Sequence, residues 1–193
     1  MTKIPIIFMQ ISSAIGMVGG LAILTFILIA VMYNGHVSRR NAADNALSAI
    51  DVQLKKRWNL IPQLVATAKG YAAHEKAVFE RVTMARSEAR HARDWNQRAL
   101  AEGQISTEIP SIVALAEAYP ELKADQQFMN LQRNLTEIES QISAARRAFN
   151  SATTAYNDGV QMFPSNIIAG VFGFKARDLY AIDAIETSVP QVK

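Results

Sequence analysis

The chain has 193 residues, with 20 Lys/Arg against 17 Asp/Glu, a formal net charge of +3, and half its residues hydrophobic. That length suits one domain plus an attached segment, and is too short for two full domains and a membrane span. There is no cysteine, which excludes disulfides, thiolate zinc sites and cysteine nucleophiles. Nine Gly and six Pro are too few for an all-β domain, which needs a turn every ~8–12 residues.

The apolar residues are unevenly spread: no charged side chain occurs between Ile4 and Tyr33. A membrane-spanning helix needs about 20 apolar residues at a rise of ~1.5 Å each. Ile15–Tyr33 nearly meets that alone, so a transmembrane helix is expected over about residues 10–33. A cleaved secretory signal is the rival, but the run ends in Val31-Met32-Tyr33 without the small residues of a cleavage site. Lys3 lies on one side of the span, and Arg39 and Arg40 on the other, which favours the C-terminal bulk in the cytoplasm. Ser12, Gly16 and Gly20 recur every four residues and form a small-residue face on which a second helix could pack. The alternative is that glycine is simply common in membrane helices.

Beyond the span, Leu47, Ile50 and Leu54 make a short apolar stripe between about Ser38 and Arg57. A longer one follows at Ile61, Leu64, Ala68, Tyr71, Glu75, Val78, Val82, Ala85 and Ala89. Asn59 would cap its helix, Pro62 would fall in the first turn, and the helix would run to about Leu100. A turn near Trp58 would separate the two. Ile109, Ile112, Val113 and Ala116 suggest one short helix, closed by Tyr119-Pro120. From Phe128 the positions Leu131, Leu135, Ile138, Ile142, Ala145, Phe149, Ala152 and Tyr156 alternate spacings of 3 and 4. This seam predicts a helix from about Leu122 to Asn157, roughly 50 Å long. Long helices joined by short connections pack as antiparallel neighbours.

Residues 34–98 carry a net charge of +6 and residues 99–193 a net of −4, so the two parts are suited to pack on each other or on another copy. Nucleic acid is not an expected partner, because the aromatics fall mainly on apolar seams rather than among basic residues.

Several segments resemble the LemA family: Tyr33-Asn34, Arg40-Asn41, Ile50-Asp51-Val52-Gln53-Leu54-Lys55-Lys56-Arg57, Leu60-Ile61-Pro62-Gln63-Leu64-Val65 and Lys69-Gly70-Tyr71-Ala72-Ala73-His74-Glu75. Ala85-Arg86, Ala155-Tyr156-Asn157 and the tail Phe163-Pro164, Ile168-Ala169 and Phe172-Gly173-Phe174 continue the match in order. Trp58 and Gln63 are minor departures. The resemblance implies a bacterial single-pass membrane protein with a helical bundle, its N-terminus outside and its bulk inside. It also implies links to envelope stress and membrane proteolysis, and in one relative to magnetosome membrane formation.

Catalytic signatures are absent. His74-Glu75 opens like a zinc-protease motif, but Lys76-Ala77-Val78 follows and the second histidine is missing. No phosphate-binding loop or nucleophile elbow occurs, so neither an enzyme nor a cofactor is expected. Glu75 nevertheless occupies a seam position. With a turn at Trp58, Asn41, Asn45, Tyr71, His74 and Glu75 would meet as a buried polar cluster, either a binding site or a contact that sets helix register. The same turn would carry the second helix back past the membrane surface, so a bend at Asn34-Gly35 or a tilted bundle is expected. Arg86, Arg90, Arg93 and Arg98 would then lie near anionic headgroups, or else on a solvated face. The apolar tail, with Phe163, Ile167, Ile168, Phe172 and Phe174, would cap the bundle, dip into the membrane surface or dock on another copy; docking on protein is preferred.

The expected architecture is therefore all-α: an anchor (1–33), an antiparallel up-and-down bundle of long helices (34–160) and an irregular apolar tail (161–193). The expected role is a non-enzymatic scaffold or adaptor at the bacterial inner membrane. It would contact membrane lipids, form homo-oligomers and engage a membrane protease or stress-system partner. The alternative is a protein that assembles extensively and curves the bilayer.

Overall fold

The structure, a computed structural model, describes residues 4–180, with side chains from Gly16 onward except those of residues 95 and 96. It contains six helices and, among the described residues, no strand. They are α1 (Ile4–Tyr71), α2 (Lys76–His91), α3 (Trp95–Ala118), α4 (Pro120–Ala124), α5 (Gln126–Gln161) and α6 (Ser165–Phe172). The chain divides into two compact units, one of residues 4–44 and 150–179, the other of residues 45–149 with Tyr180.

In the second unit the helices alternate in direction, and cross-helix contacts show it. Arg86 reaches Trp58, so α2 runs back along α1. Arg81 pairs with Glu108 and Tyr119 bonds Glu75, so α3 runs back along α2. Tyr71 bonds Asp125 and Arg57 bonds Glu139, so α5 is antiparallel to α1. This is the expected up-and-down bundle. One core joins Ile61, Leu64 and Ala68 of α1, Phe79 and Val82 of α2, Ile105 and Ile112 of α3, Leu122 of α4, and Phe128, Leu131 and Leu135 of α5. A second core joins Ile50 and Leu54 to Ile138, Ile142, Phe149 and Tyr180. The seam read from α5 is the buried stripe of that helix, with Ala145 and Ala152 half-buried.

The helix boundaries correct the sequence reading at three places. No turn forms at Trp58; α1 continues to Tyr71 and the chain reverses at residues 72–75. Pro62 lies inside α1 rather than in a first turn. A proline there deprives the Trp58 carbonyl of its N–H donor. Arg86 replaces that donor, its Nε lying 2.6 Å from the Trp58 oxygen, so the helix passes the proline without an orphaned carbonyl. The second and third helices likewise divide elsewhere than expected. α2 stops at His91, Asp94 caps α3 by accepting from the Gln97 N–H at 2.8 Å, and α3 absorbs both Gly103 and the short helix expected near residue 112. Asn34-Gly35 is regular helix, so the expected bend is absent. The steric reason for that bend disappears with the turn at Trp58: α2 has 16 residues, far shorter than the returning helix of about 40 that the sequence implied.

In the first unit α1 carries the apolar segment, exposed from Gly16 through Leu28 and long and apolar enough to cross a membrane. Gly159 of α5 packs beside Arg39 and His36 of α1, where a side chain would meet both. α6 ends at Gly173, whose φ of 75° closes the helix with its N–H on the Ala169 carbonyl, a conformation glycine adopts without steric cost. The chain then runs along α5: the Tyr156 hydroxyl donates to the Lys175 carbonyl at 3.0 Å, and Asn157 exchanges two bonds with the Arg177 backbone. Arg177 also pairs with Asp44 at 2.6 Å.

Candidate functional site

The most unusual chemistry lies inside the second unit. Arg57 sits on the apolar stripe of α1, between Leu54 and Ile61, and is completely buried. Its Nη1 donates to Ser106 Oγ at 2.8 Å and to Glu139 Oε1 at 2.5 Å. Its Nη2 donates to the Glu102 carbonyl at 3.2 Å and to the Glu102 carboxylate. Glu102 is also fully buried, and its other carboxylate oxygen accepts the Trp58 indole N–H at 2.8 Å. Burial disfavours the charged guanidinium, but the carboxylates of Glu139 and Glu102 outweigh it and raise the Arg57 pKa above its ordinary value.

Around this cluster the charges are arranged in layers. Arg98 lies 5.4 Å above the Trp58 ring and pairs with Asp51 at 2.8 Å. Arg146 lies 4.7 Å from the centre of the buried Tyr180 ring; burial pushes that phenol's pKa up, and the arginine counters part of the rise. Arg57 thus ties α1, α3 and α5 together through charge-assisted bonds, with a fork geometry that lysine could not reproduce. Among the described residues, no group of His, Asp and Glu is placed to hold a metal ion.

Beside the cluster runs a groove of about 450 Å³ between α3 and α5. Ile109, Pro110, Val113 and Leu135 supply its apolar surface, and Ser106, Glu117 and Glu139 its polar edge. Pro110 lies inside α3 and has no N–H to offer the Ser106 carbonyl one turn earlier. The groove therefore combines an apolar floor with an edge of polar side chains, to which Gln132 and Thr136 also belong.

The sequence reading missed Arg57, Glu102, Ser106 and Glu139. A signal was present: Ile50, Leu54, Arg57, Ile61 and Leu64 keep the 4-3-4-3 spacing of a seam, and Glu102, Ile105, Ile109 and Ile112 repeat it. A positive charge on one seam and a negative charge on another are natural partners once both seams face the same core.

The cluster expected from Asn41, Asn45, Tyr71, His74 and Glu75 does not form. Asn45 and Tyr71 share one continuous helix and stand 26 residues, or about 39 Å of rise, apart along it. Asn41, Asn45 and His74 are exposed. Tyr71 instead donates to Asp125 at 2.8 Å, and Glu75 accepts from Tyr119 at 3.2 Å. The four arginines differ in their settings: Arg86 and Arg98 are committed to Trp58 and Asp51, while Arg90 and Arg93 are exposed. Gly16 and Gly20 are exposed, with no group of the described residues within 4 Å of where a side chain would project, and the Ser12 side chain lies outside the described residues. The tail packs on its own chain: Tyr33 meets Phe172 at 4.9 Å and Phe174 at 5.7 Å, and His36 stacks on Phe174 at 5.0 Å. Ile168 is half-buried, whereas Phe163 and Ile167 remain exposed.

Comparison with known proteins agrees with this architecture. The chain is 23% identical to magnetosome protein MamQ 2 of Paramagnetospirillum magneticum over 86% of its length and 71% of that protein. It is also 23% identical to magnetosome protein MamQ of Magnetospirillum gryphiswaldense, over 86% of its length and 70% of that protein. Protein LemA of Metamycoplasma hominis is 26% identical over 86% of this chain and 78% of its own length. The LemA family model matches residues 46–193, which include the ion cluster, the groove and the tail. The chain belongs to the LemA family.

Proposed function

We propose that this protein is a non-enzymatic, membrane-anchored helical scaffold that self-associates at the bacterial inner membrane and serves membrane-protein quality control or envelope stress. The observation that carries the reading is the α3–α5 groove, held open by an ion-locked bundle on the same chain as an apolar anchor. An apolar groove with polar side chains along its edge is suited to an amphipathic segment of a client, such as a membrane protease or stress-system protein. The exposed Gly16 and Gly20 support pairing of the anchor with a second copy, and Arg39 and Arg40 support a cytoplasmic bundle with the N-terminus outside.

Kinship with magnetosome proteins supports a second reading, in which copies assemble extensively and curve the bilayer. Electron microscopy of the full chain, in detergent and in liposomes, separates the two. Discrete particles of a few copies on undistorted vesicles are expected of the scaffold. Large ordered assemblies on tubulated vesicles would overturn it in favour of membrane shaping.

A further inference from the structure

We infer that α6 is an interfacial foot: its free apolar face lies in the headgroup–acyl boundary of the same bilayer that α1 enters. The inference rests on the anchor reading of α1 and adds a second, separate contact with lipid.

The first observation is the level at which α6 sits. Its Phe172 ring packs on Tyr33, the residue that ends the uncharged apolar run of α1. Tyrosine at that position marks the membrane–water boundary, with its ring among the headgroups. Counting about 20 residues back along α1 from Tyr33 covers the ~30 Å hydrocarbon core. A helix that touches Tyr33 therefore lies at the edge of that core.

The second observation is direction. The Ser165 carbonyl at one end of α6 is 3.1 Å from His36 Nε2, and Phe172 at the other end meets Tyr33. These two α1 residues are separated by about 4.5 Å of rise, while α6 is about 12 Å long. Both ends of α6 therefore meet α1 within a single turn, which favours a helix lying across α1 at one level of the membrane over one running along it.

The third observation is the face that remains free. Ala169 is buried and Ile168 half-buried against the protein, whereas Phe163 is 81% exposed, Ile167 56% and Val171 74%. Ile167 and Val171, four residues apart on α6, form an apolar stripe, and Phe163 lies in the turn that precedes the helix. No acidic residue occurs from 159 to 177, while Lys175 is exposed and Arg40 lies 5.7 Å from the Phe174 ring. An exposed apolar stripe at membrane level, with Lys175 and Arg40 close by, fits a lipid surface with anionic headgroups. Two copies meeting stripe to stripe would instead bring these cations against each other.

The absence of cysteine makes a direct test simple. Single-cysteine variants Phe26→Cys, Ile167→Cys, Val171→Cys and Ser151→Cys of the full chain are labelled with an environment-sensitive fluorophore. They are reconstituted into phosphatidylcholine–phosphatidylglycerol vesicles carrying spin-labelled lipids. Ile167 and Val171 probe the stripe independently, Phe26 the anchor, and Ser151 an exposed site on α5. The foot predicts that both stripe positions are quenched about twofold more by a spin label near the headgroup than by one deep in the chain. Phe26 should show the reverse order and Ser151 little quenching. If Phe26 is quenched while Ile167 and Val171 behave like Ser151, the foot is wrong and the anchor stands. If Phe26 is not quenched either, both fail. A dry but unquenched environment at the stripe would show that another protein copy covers it, which also overturns the inference.

Discussion

Replacement of Arg57 tests the ion cluster most directly. Arg57→Met keeps much of the buried stem and removes the guanidinium, leaving the fully buried Glu102 carboxylate with only the Trp58 indole as a side-chain donor. Breaking a buried pair by removing one partner costs about 3–5 kcal/mol, because the remaining charge is uncompensated. For a unit of roughly 100 residues each kcal/mol lowers the melting temperature by about 4 °C, so a fall of about 12–20 °C is expected. Removing both charges in Arg57→Met/Glu102→Leu should be far milder, within about 2 kcal/mol of the parent, the residue being mostly the cost of an unpaired Trp58 N–H. Urea unfolding of the full chain in detergent, followed by tryptophan fluorescence, reads the cluster because Trp58 belongs to it. A cost below about 1 kcal/mol for Arg57→Met would refute the reasoning. So would a double variant as unstable as the sum of its parts, since the two residues would then not be coupled.

Further expectations concern neighbouring features. Arg86→Ala orphans the Trp58 carbonyl and should cost about 1–3 kcal/mol, whereas the same change beside Pro62→Ala should cost less, because an alanine N–H restores the helical bond; a double-mutant cycle in urea measures the difference. Ile105→Ala, at a position with no exposure, should lower stability by about 2–5 kcal/mol in the same assay. The Phe128 N–H, and after it the Tyr71 hydroxyl, hold the Asp125 carboxyl below its usual range. A carboxyl depressed in the folded state stabilises the fold above its unfolded pKa of about 3.9, and that contribution is lost as pH falls through the lower folded value. Urea midpoints from about pH 5 downward should therefore fall less steeply in Asp125→Asn than in the parent; identical slopes would show that this cap carries no pH dependence. Val113→Arg in the groove should leave the unfolding midpoint within about 0.5 kcal/mol while abolishing capture of any client that docks there, as read by pull-down from detergent-solubilised membranes.

The sequence alone determined that this chain is helical and that its N-terminal segment is apolar enough to cross a membrane. Both follow from periodicity and run length, which are local properties. The α5 seam from Phe128 to Tyr156 was legible residue by residue, because an amphipathic helix must turn its apolar positions toward the core whatever it packs against. Tertiary structure decided where the helices break and which charges meet. Pro62 looked like a helix start because proline is tolerated in a first turn; inside α1 it is the Arg86 side chain, 24 residues away in sequence, that supplies the donor the proline lacks. With α1 continuous through Pro62, the reversal falls at residues 72–75, the polar cluster expected around Glu75 disperses and the need for a bend at Asn34-Gly35 goes. Arg57 and Glu102 were each visible as charges on an apolar seam, but their pairing depends on the register between α1 and α3. The side of α6 left bare likewise depends on packing, since its sequence is apolar nearly all round and only contact with Tyr33 and His36 determines which face is covered.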